Sequence, residues 1–180
     1  MIRAVLTTLI LLAAGLPSVA QVPEPDGYRM DEYRAPVPST LGGAAVVGPV
    51  EAFELWEAGG VTFIDVLPRP PKPAKLPEGT VWREKPRLSI PGAIWLPNVG
   101  YGAIAEVTDA YFRAGLGAAT GGQLDHPILI FCLEDCWMSW NAAKRALDYG
   151  YTTVYWLPEG TDGWTLFDYP TEEIEPVPGY

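Results

Sequence analysis

Histidine, cysteine and cations are all scarce in this chain. Among 180 residues there is one histidine, His126, and there are two cysteines, Cys132 and Cys136. Two cysteines admit one intrachain bridge and no disulfide framework. A soft metal clamped by that pair would want a further ligand. His126 stands six residues before Cys132 on what reads as a strand, so at about 3.3 Å per residue it lies roughly 20 Å away. Such a site would therefore have to draw on Met138 or on a partner. Covalent haem attachment wants a histidine directly after the second cysteine, and Trp137 stands there. Lysine and arginine together number 12 against 22 acidic residues, a net charge of −10. That balance excludes binding of nucleic acid or anionic lipid through the bulk field. Beyond the first twenty residues no apolar run is long enough to span a bilayer, and no internal repeat is present.

Residues 1–20 are a separate matter. Arg3 precedes the apolar run Ala4 to Leu16, followed by Pro17, Ser18 and Ala20. A charged start, a short apolar stretch and small residues before Gln21 are the pattern of a cleaved secretory signal. The expectation is export, with an uncleaved membrane anchor as the alternative, and export places the cysteine pair in an oxidising environment. Cleavage would remove one cation and no carboxylate, taking the net charge to −11.

The richest stretch runs from His126 to Gly150. Ile128 to Phe131 is apolar and β-branched at Ile128 and Ile130, a buried strand. After it the period changes: Met138, Ala142, Arg145/Ala146 and Tyr149 recur at helical spacing, and Gly150 is placed to end the helix. Cys132 and Cys136 thus sit between the carboxyl end of a strand and the first turn of a helix. Sites in α/β sheets are built at that edge, and a helix N-terminus favours a thiolate. On a helical turn, residues four apart lie about 6 Å apart at Cα, within disulfide range. Such a short loop adds only about 2 kcal/mol of chain-entropy stabilisation, so redox or sulfur chemistry explains the pair better than stapling does.

The remaining chain alternates strands and helices. Residues 21–44 form a Pro- and Gly-rich arm expected to lie extended on a domain at 45–168, with an acidic tail at 169–180. Pro49 opens a short helix carrying Val50, Phe53, Leu55 and Trp56, closed by Gly59-Gly60. Val61 to Val66 is a buried strand with Asp65 at its end. Six prolines between 67 and 87 exclude a regular element there. This insertion holds Arg69, Lys72, Lys75, Arg83, Lys85 and Arg87, half of the chain's basic residues, against Glu78 and Glu84. It either folds back on the acidic body or serves as a lid or docking surface. Ile90 to Pro97 reads as a turn and a three-residue strand, 103–119 as a helix ended by Gly121-Gly122, and Thr152 to Trp156 as a last strand. Pro158 to Trp164 reads as a loop whose tryptophan caps the core. The fold class is α/β with a central, mostly parallel sheet.

These residues, in this order, resemble the rhodanese-like family. The likeness rests on Ile64-Asp-Val66 (with Leu67 where an arginine is usual), Ile90-Pro-Gly-Ala93, the strand ending in Cys132, Ala142-Ala143, Gly150-Tyr-Thr-Thr-Val154 and Gly160-Thr-Asp-Gly-Trp164. It covers roughly 45–165 and implies a three-layer rhodanese-like domain carrying the Pro-rich basic insertion. More narrowly, Cys132-Leu-Glu-Asp-Cys136-Trp resembles the C-x-x-x-C-W motif of a small exported family associated with alcohol catabolism dependent on pyrroloquinoline quinone (PQQ). That resemblance implies the periplasm and a setting of PQQ dehydrogenases and their cytochromes. In a sulfur-transferring rhodanese the cysteine matching Cys132 is the nucleophile and a basic residue stands where Trp137 is here. Glu134 and Asp135 replace cations and would raise a thiol pKa.

The expected function is a thiol–disulfide or sulfur-relay site, with Cys132 attacking and Cys136 resolving, in an oxidoreductase- or sulfurtransferase-like protein. Candidate binding residues are Leu133, Glu134 and Asp135 in the turn, Trp137 and Met138 at the helix start, and Asp65 on the neighbouring strand. Trp137 would wall a pocket or docking surface, while Trp140 would pack in the core. No resident cofactor or metal is assigned. The expected partners are a periplasmic dehydrogenase, cytochrome or thiol-redox protein. The alternatives are a non-catalytic module docking a dehydrogenase or cytochrome through the tryptophan-rimmed turn and the basic loop, or a copper carrier.

Overall fold

The computed structural model describes residues 21–179; the proposed signal segment, residues 1–20, lies outside them. Five strands make one parallel sheet: β1 (Ala45–Val46), β2 (Thr62–Asp65), β4 (Ile94–Trp95), β5 (Ile128–Phe131) and β6 (Val154–Leu157). Their spatial order is β1-β6-β5-β2-β4. A separate antiparallel pair joins β3 (Arg87–Ser89) to β7 (Glu172–Ile174). The helices are α1 (Pro49–Ala58), α2 (Glu106–Thr120), α3 (Trp137–Asp148) and α4 (Gly160–Leu166).

β5 shows how the layers arise. All four of its side chains are fully buried, and a strand sends alternate side chains to opposite faces. Ile128 and Ile130 enter the core that also holds Tyr111, Phe112 and Leu116 of α2 and Trp140, Ala143 and Ala146 of α3. Leu129 and Phe131 enter the opposite core, with Ala52 of α1 and Trp164 of α4. A strand buried on both faces needs an unbroken apolar run, and Ile-Leu-Ile-Phe supplies it.

Helix ends follow the local chemistry. Pro49 begins α1 and Gly59, at φ 70°, ends it. Gly121, at φ 62°, ends α2. The anticipated three-residue strand at 94–96 is two residues long, and the loop 66–86 has no regular element, as its prolines require.

Three features depart from expectation. Residues 160–166 form a helix instead of a loop, although Trp164 does cap the core as anticipated. Gly160 and Gly163 suggest a turn, but close packing requires them. A Cβ on Gly160 would strike the Cys132 carbonyl, and one on Gly163 would strike Glu159 and Pro49 of the adjoining helix. The acidic tail contributes β7, which is tied to the end of the basic insertion at Arg87↔Ile174 and Ser89↔Glu172. Directly after the arm, Ala45 and Val46 form β1, an unanticipated short strand paired with β6.

β2 and β5 are neighbours whose onward connections run to opposite sides of the sheet, to β4 and β6 respectively. Their carboxyl ends form a topological switch point, the place where open α/β sheets build sites. Asp65 ends one strand and Cys132 follows the other.

Candidate functional site

Cys132 leaves β5 and Cys136 is the N-cap of α3, with φ −117° and ψ 101°. Neither cysteine lies within a helical turn, so helix spacing does not bring them together. The turn between them does: Asp135 takes a positive φ of 51°, a conformation that acidic side chains tolerate better than most. The two sulfurs stand side by side, 2.7 Å apart.

Neighbouring elements hold the turn. Thr161 at the start of α4 donates its amide to the Cys132 carbonyl at 3.0 Å, and Leu133 pairs with Gly160 across an isolated antiparallel bridge. The Glu134 amide donates to Asp162 Oδ2 at 3.0 Å. Arg87 reaches in from the end of the insertion. Its Nε donates to Asp65 Oδ2 at 2.6 Å and its Nη2 approaches the Cys132 carbonyl at 3.4 Å. Ser89 Oγ and the Leu67 amide complete the ring around Asp65, at 2.6 and 2.9 Å. Asp65 therefore both faces the cysteine edge, through Arg87, and hydrogen-bonds loop backbone at Leu67. It is wholly buried. Burial pushes its carboxyl up, against the pull of Arg87, Ser89 and the Leu67 amide.

The cysteines are electrostatically unequal. Burial, reinforced by Cys136 and by the charge of Asp65, pushes the Cys132 thiol well up. Cys136 is lowered to about 7, chiefly because it accepts a hydrogen bond from Cys132, with burial opposing. The amides of Met138 and Leu133 and the charge of Arg34 also favour its thiolate. Backbone donors at a helix start and a nearby cation are the usual means of lowering a thiol pKa. Glu134 and Asp135 are exposed and are not what raises the upper thiol, contrary to the expectation from their charge.

The arm covers this site. The Trp137 amide donates to the Tyr33 carbonyl at 2.9 Å, and Arg34 bridges Cys136 in antiparallel fashion. Asn141, one turn into α3, grips the arm from both sides. Its Oδ1 accepts from the Arg29 amide and its Nδ2 donates to the Arg29 carbonyl, each at 2.9 Å. The Arg29 guanidinium lies 5.2 Å above the Trp137 ring. Trp137 and Met138 are consequently buried, 2% and 3% exposed. The proposed pocket wall is core, because an irregular arm with no sequence period lies across it. Trp140 packs in the core as anticipated, edge-on to Trp137 with ring centroids 5.5 Å apart.

Of the candidate residues, the turn brings together Cys132, Leu133, Glu134, Asp135 and Cys136, and Asp65 lies beneath it through Arg87. His126 is at the far end of β5, where its Nε2 is 2.8 Å from Thr62 Oγ1. Among the described residues no three His, Cys, Asp or Glu side chains gather as metal ligands would. Sequence reasoning did not find Arg34, Arg87, Thr161 or Asn141. Asn141 alone carried a signal, being a polar residue inside the apolar face of α3.

No family model matches the chain and no curated protein matches it. Several solved structures are similar to it. One is a polysulfide-sulfur transferase homodimer from Wolinella succinogenes, 17% identical over 72% of this chain and 79% of that one, with a TM-score of 0.48. Another is a rhodanese-like domain from Anabaena, 16% identical over 74% and 84%, with a TM-score of 0.45. A third is EanB in complex with ergothioneine, 20% identical over 74% of this chain and 32% of that one, with a TM-score of 0.49. The α/β class with a central, mostly parallel sheet that was expected from the sequence is observed, built from five parallel strands and four helices.

Proposed function

We propose that Cys132 and Cys136 form a thiol–disulfide or sulfur-relay site. One observation carries the reading: the switch-point turn brings the two cysteine sulfurs side by side, Cys132 directly after β5 and Cys136 at the start of α3. A bridge across so short a loop adds little as a staple, whereas an exchange pair needs an attacking thiolate with a resolving thiol within reach.

The place of Cys136 at the start of α3, with the Met138 and Leu133 amides and Arg34 beside its sulfur, supports the reverse of the roles read from sequence: Cys136 attacks and Cys132 resolves. In the redox form of the cycle the Cys136 thiolate attacks one sulfur of a partner's disulfide and expels the other as thiolate. Cys132 then loses its proton to that leaving thiolate or to solvent, attacks the Cys136 sulfur and releases the partner's second thiolate. Two electrons pass to the partner and Cys132–Cys136 becomes a disulfide. In the relay form, the Cys136 thiolate attacks the outer sulfur of a donor persulfide, the donor's S–S bond breaks and its inner sulfur leaves as a thiolate, and Cys136 carries the sulfur as a persulfide. Both sulfurs are buried, so either cycle requires the segment around Tyr33 and Arg34 to lift.

The setting we propose is periplasmic, accessory to PQQ-dependent alcohol oxidation, with a dehydrogenase, cytochrome or thiol-redox protein as partner. Support comes from the leader-like pattern of residues 1–20 and from the C-x-x-x-C-W sequence at 132–137. Trapping tests the chemistry. With the resolving thiol removed, Cys132→Ser should accumulate a mixed disulfide through Cys136 when challenged with an oxidised dithiol protein. If Cys132→Ser traps nothing while Cys136→Ser traps through Cys132, the roles are those of the sequence reading. If neither variant traps, exchange chemistry is wrong.

A further inference from the structure

Between the insertion 67–87 and the start of α4 lies a cleft of about 660 Å³, within the usual range for small-molecule sites. Leu67, Trp82, Trp95 and Leu133 give it apolar and aromatic walls, and Arg83 and Lys85 stand among the lining residues. Two carboxylates also line it: Glu84 is neutralised by Arg69, whereas Asp162 accepts the Glu134 amide and keeps its charge. Arg87, beneath, is committed to Asp65. Arg83 and Lys85 are exposed and enter no ion pair among the described residues. Two cations without a carboxylate partner against one carboxylate without a cation leave the cleft with a positive balance, in a chain whose net charge is −10.

We propose that this cleft binds a small organic anion with a flat apolar body. The indole of Trp82 and the neighbouring apolar walls would cover the body, and Arg83 and Lys85 would meet the anionic group. An uncharged ligand would leave both cations unused, and an inorganic anion would leave the indole and leucine walls without a partner. The cleft uses neither sulfur, so the proposal goes beyond the dithiol reading and stands or falls separately from it. Leu133 nonetheless belongs both to the cleft wall and to the turn between the cysteines, so an occupant would touch the candidate site from its far side.

The test uses naphthoate and its uncharged counterpart naphthylmethanol, titrated into the whole protein while the tryptophan indole N–H signals are followed by NMR. Naphthoate should bind saturably at one site and shift the Trp82 and Trp95 indoles. The alcohol should bind about tenfold more weakly or worse, the size expected for loss of a charge-assisted contact. Arg83→Glu/Lys85→Glu and, separately, Trp82→Ala should each weaken naphthoate by a similar factor. All three positions lie in the loop, and indole signals outside the cleft should stay in place to show that the fold is intact. Cys132→Ser/Cys136→Ser should bind naphthoate unchanged. Failure of naphthoate to saturate, equal binding of the alcohol, or equal binding by the charge-reversed variant would each overturn the proposal.

Discussion

Arg87 and Asp65 form a buried ion pair across 22 residues of sequence, Nε to Oδ2 at 2.6 Å, with the arginine side chain 7% exposed and the carboxylate not exposed at all. The pair closes the far end of the Pro-rich insertion onto β2. The same guanidinium reaches the carbonyl of Cys132, so one residue ties the loop, the sheet and the cysteine turn together.

Loss of one member of such a pair strands the other charge in the interior. Arg87→Ala should therefore cost about 3–5 kcal/mol of stability, and Asp65→Asn/Arg87→Gln should cost less than Arg87→Ala alone. Urea denaturation of the two variants beside the parent measures this. A loss under about 1 kcal/mol in Arg87→Ala would show that the pair does not close the loop.

The two thiols should differ in reactivity as they differ in environment. A lowered pKa means that Cys136 loses its proton at lower pH than an ordinary cysteine, so its thiolate fraction rises through about pH 7. Alkylation of Cys132→Ser monitors Cys136 alone, and that of Cys136→Ser monitors Cys132. Each variant also loses the partner sulfur, and with it the hydrogen bond that contributes most to the shift at Cys136. The cleanest comparison is thus the reduced parent protein, with alkylated peptides separated by mass. Cys136 should be modified first, with a rate midpoint near pH 7, and Cys132 should lag at every pH up to 9.

Asn141 is the clasp of the arm. Besides its two hydrogen bonds to Arg29 it donates to the Gly100 carbonyl at 2.9 Å. Asn141→Ala leaves buried backbone groups unpaired, which costs about 1–3 kcal/mol each when water cannot reach them. It should also raise the alkylation rate of Cys136 severalfold at fixed pH, because the segment that covers the sulfur is released. A stability loss with no change in thiol reactivity would separate the arm from access to the site.

How much of this was legible depended on whether a signal was local. Ile128 to Phe131 announced a buried strand, the change of period at Met138 announced a helix, and the cysteines lay where the two met. Asp65 was visible as a carboxylate ending an apolar run, but its partner Arg87 looked like one more cation in a basic insertion. Nothing in residues 67–87 has a period that could say which arginine turns inward. Gly160 and Gly163 read as loop residues because glycine's commonest use is in turns. Here they admit a carbonyl and a neighbouring helix, contacts that only the assembled fold defines. Trp137 looked available at a helix start, and the arm that covers it is too irregular to place from sequence.

The central claim is that Cys132 and Cys136 exchange electrons or sulfur. Equilibration of the whole protein in a graded series of thiol–disulfide buffers, with trapping of free thiols, measures the reduction potential of the pair most directly. Exchange-active dithiols span roughly −120 to −270 mV, and the account places this pair inside that range. A potential below about −300 mV, the region of structural disulfides, would contradict it.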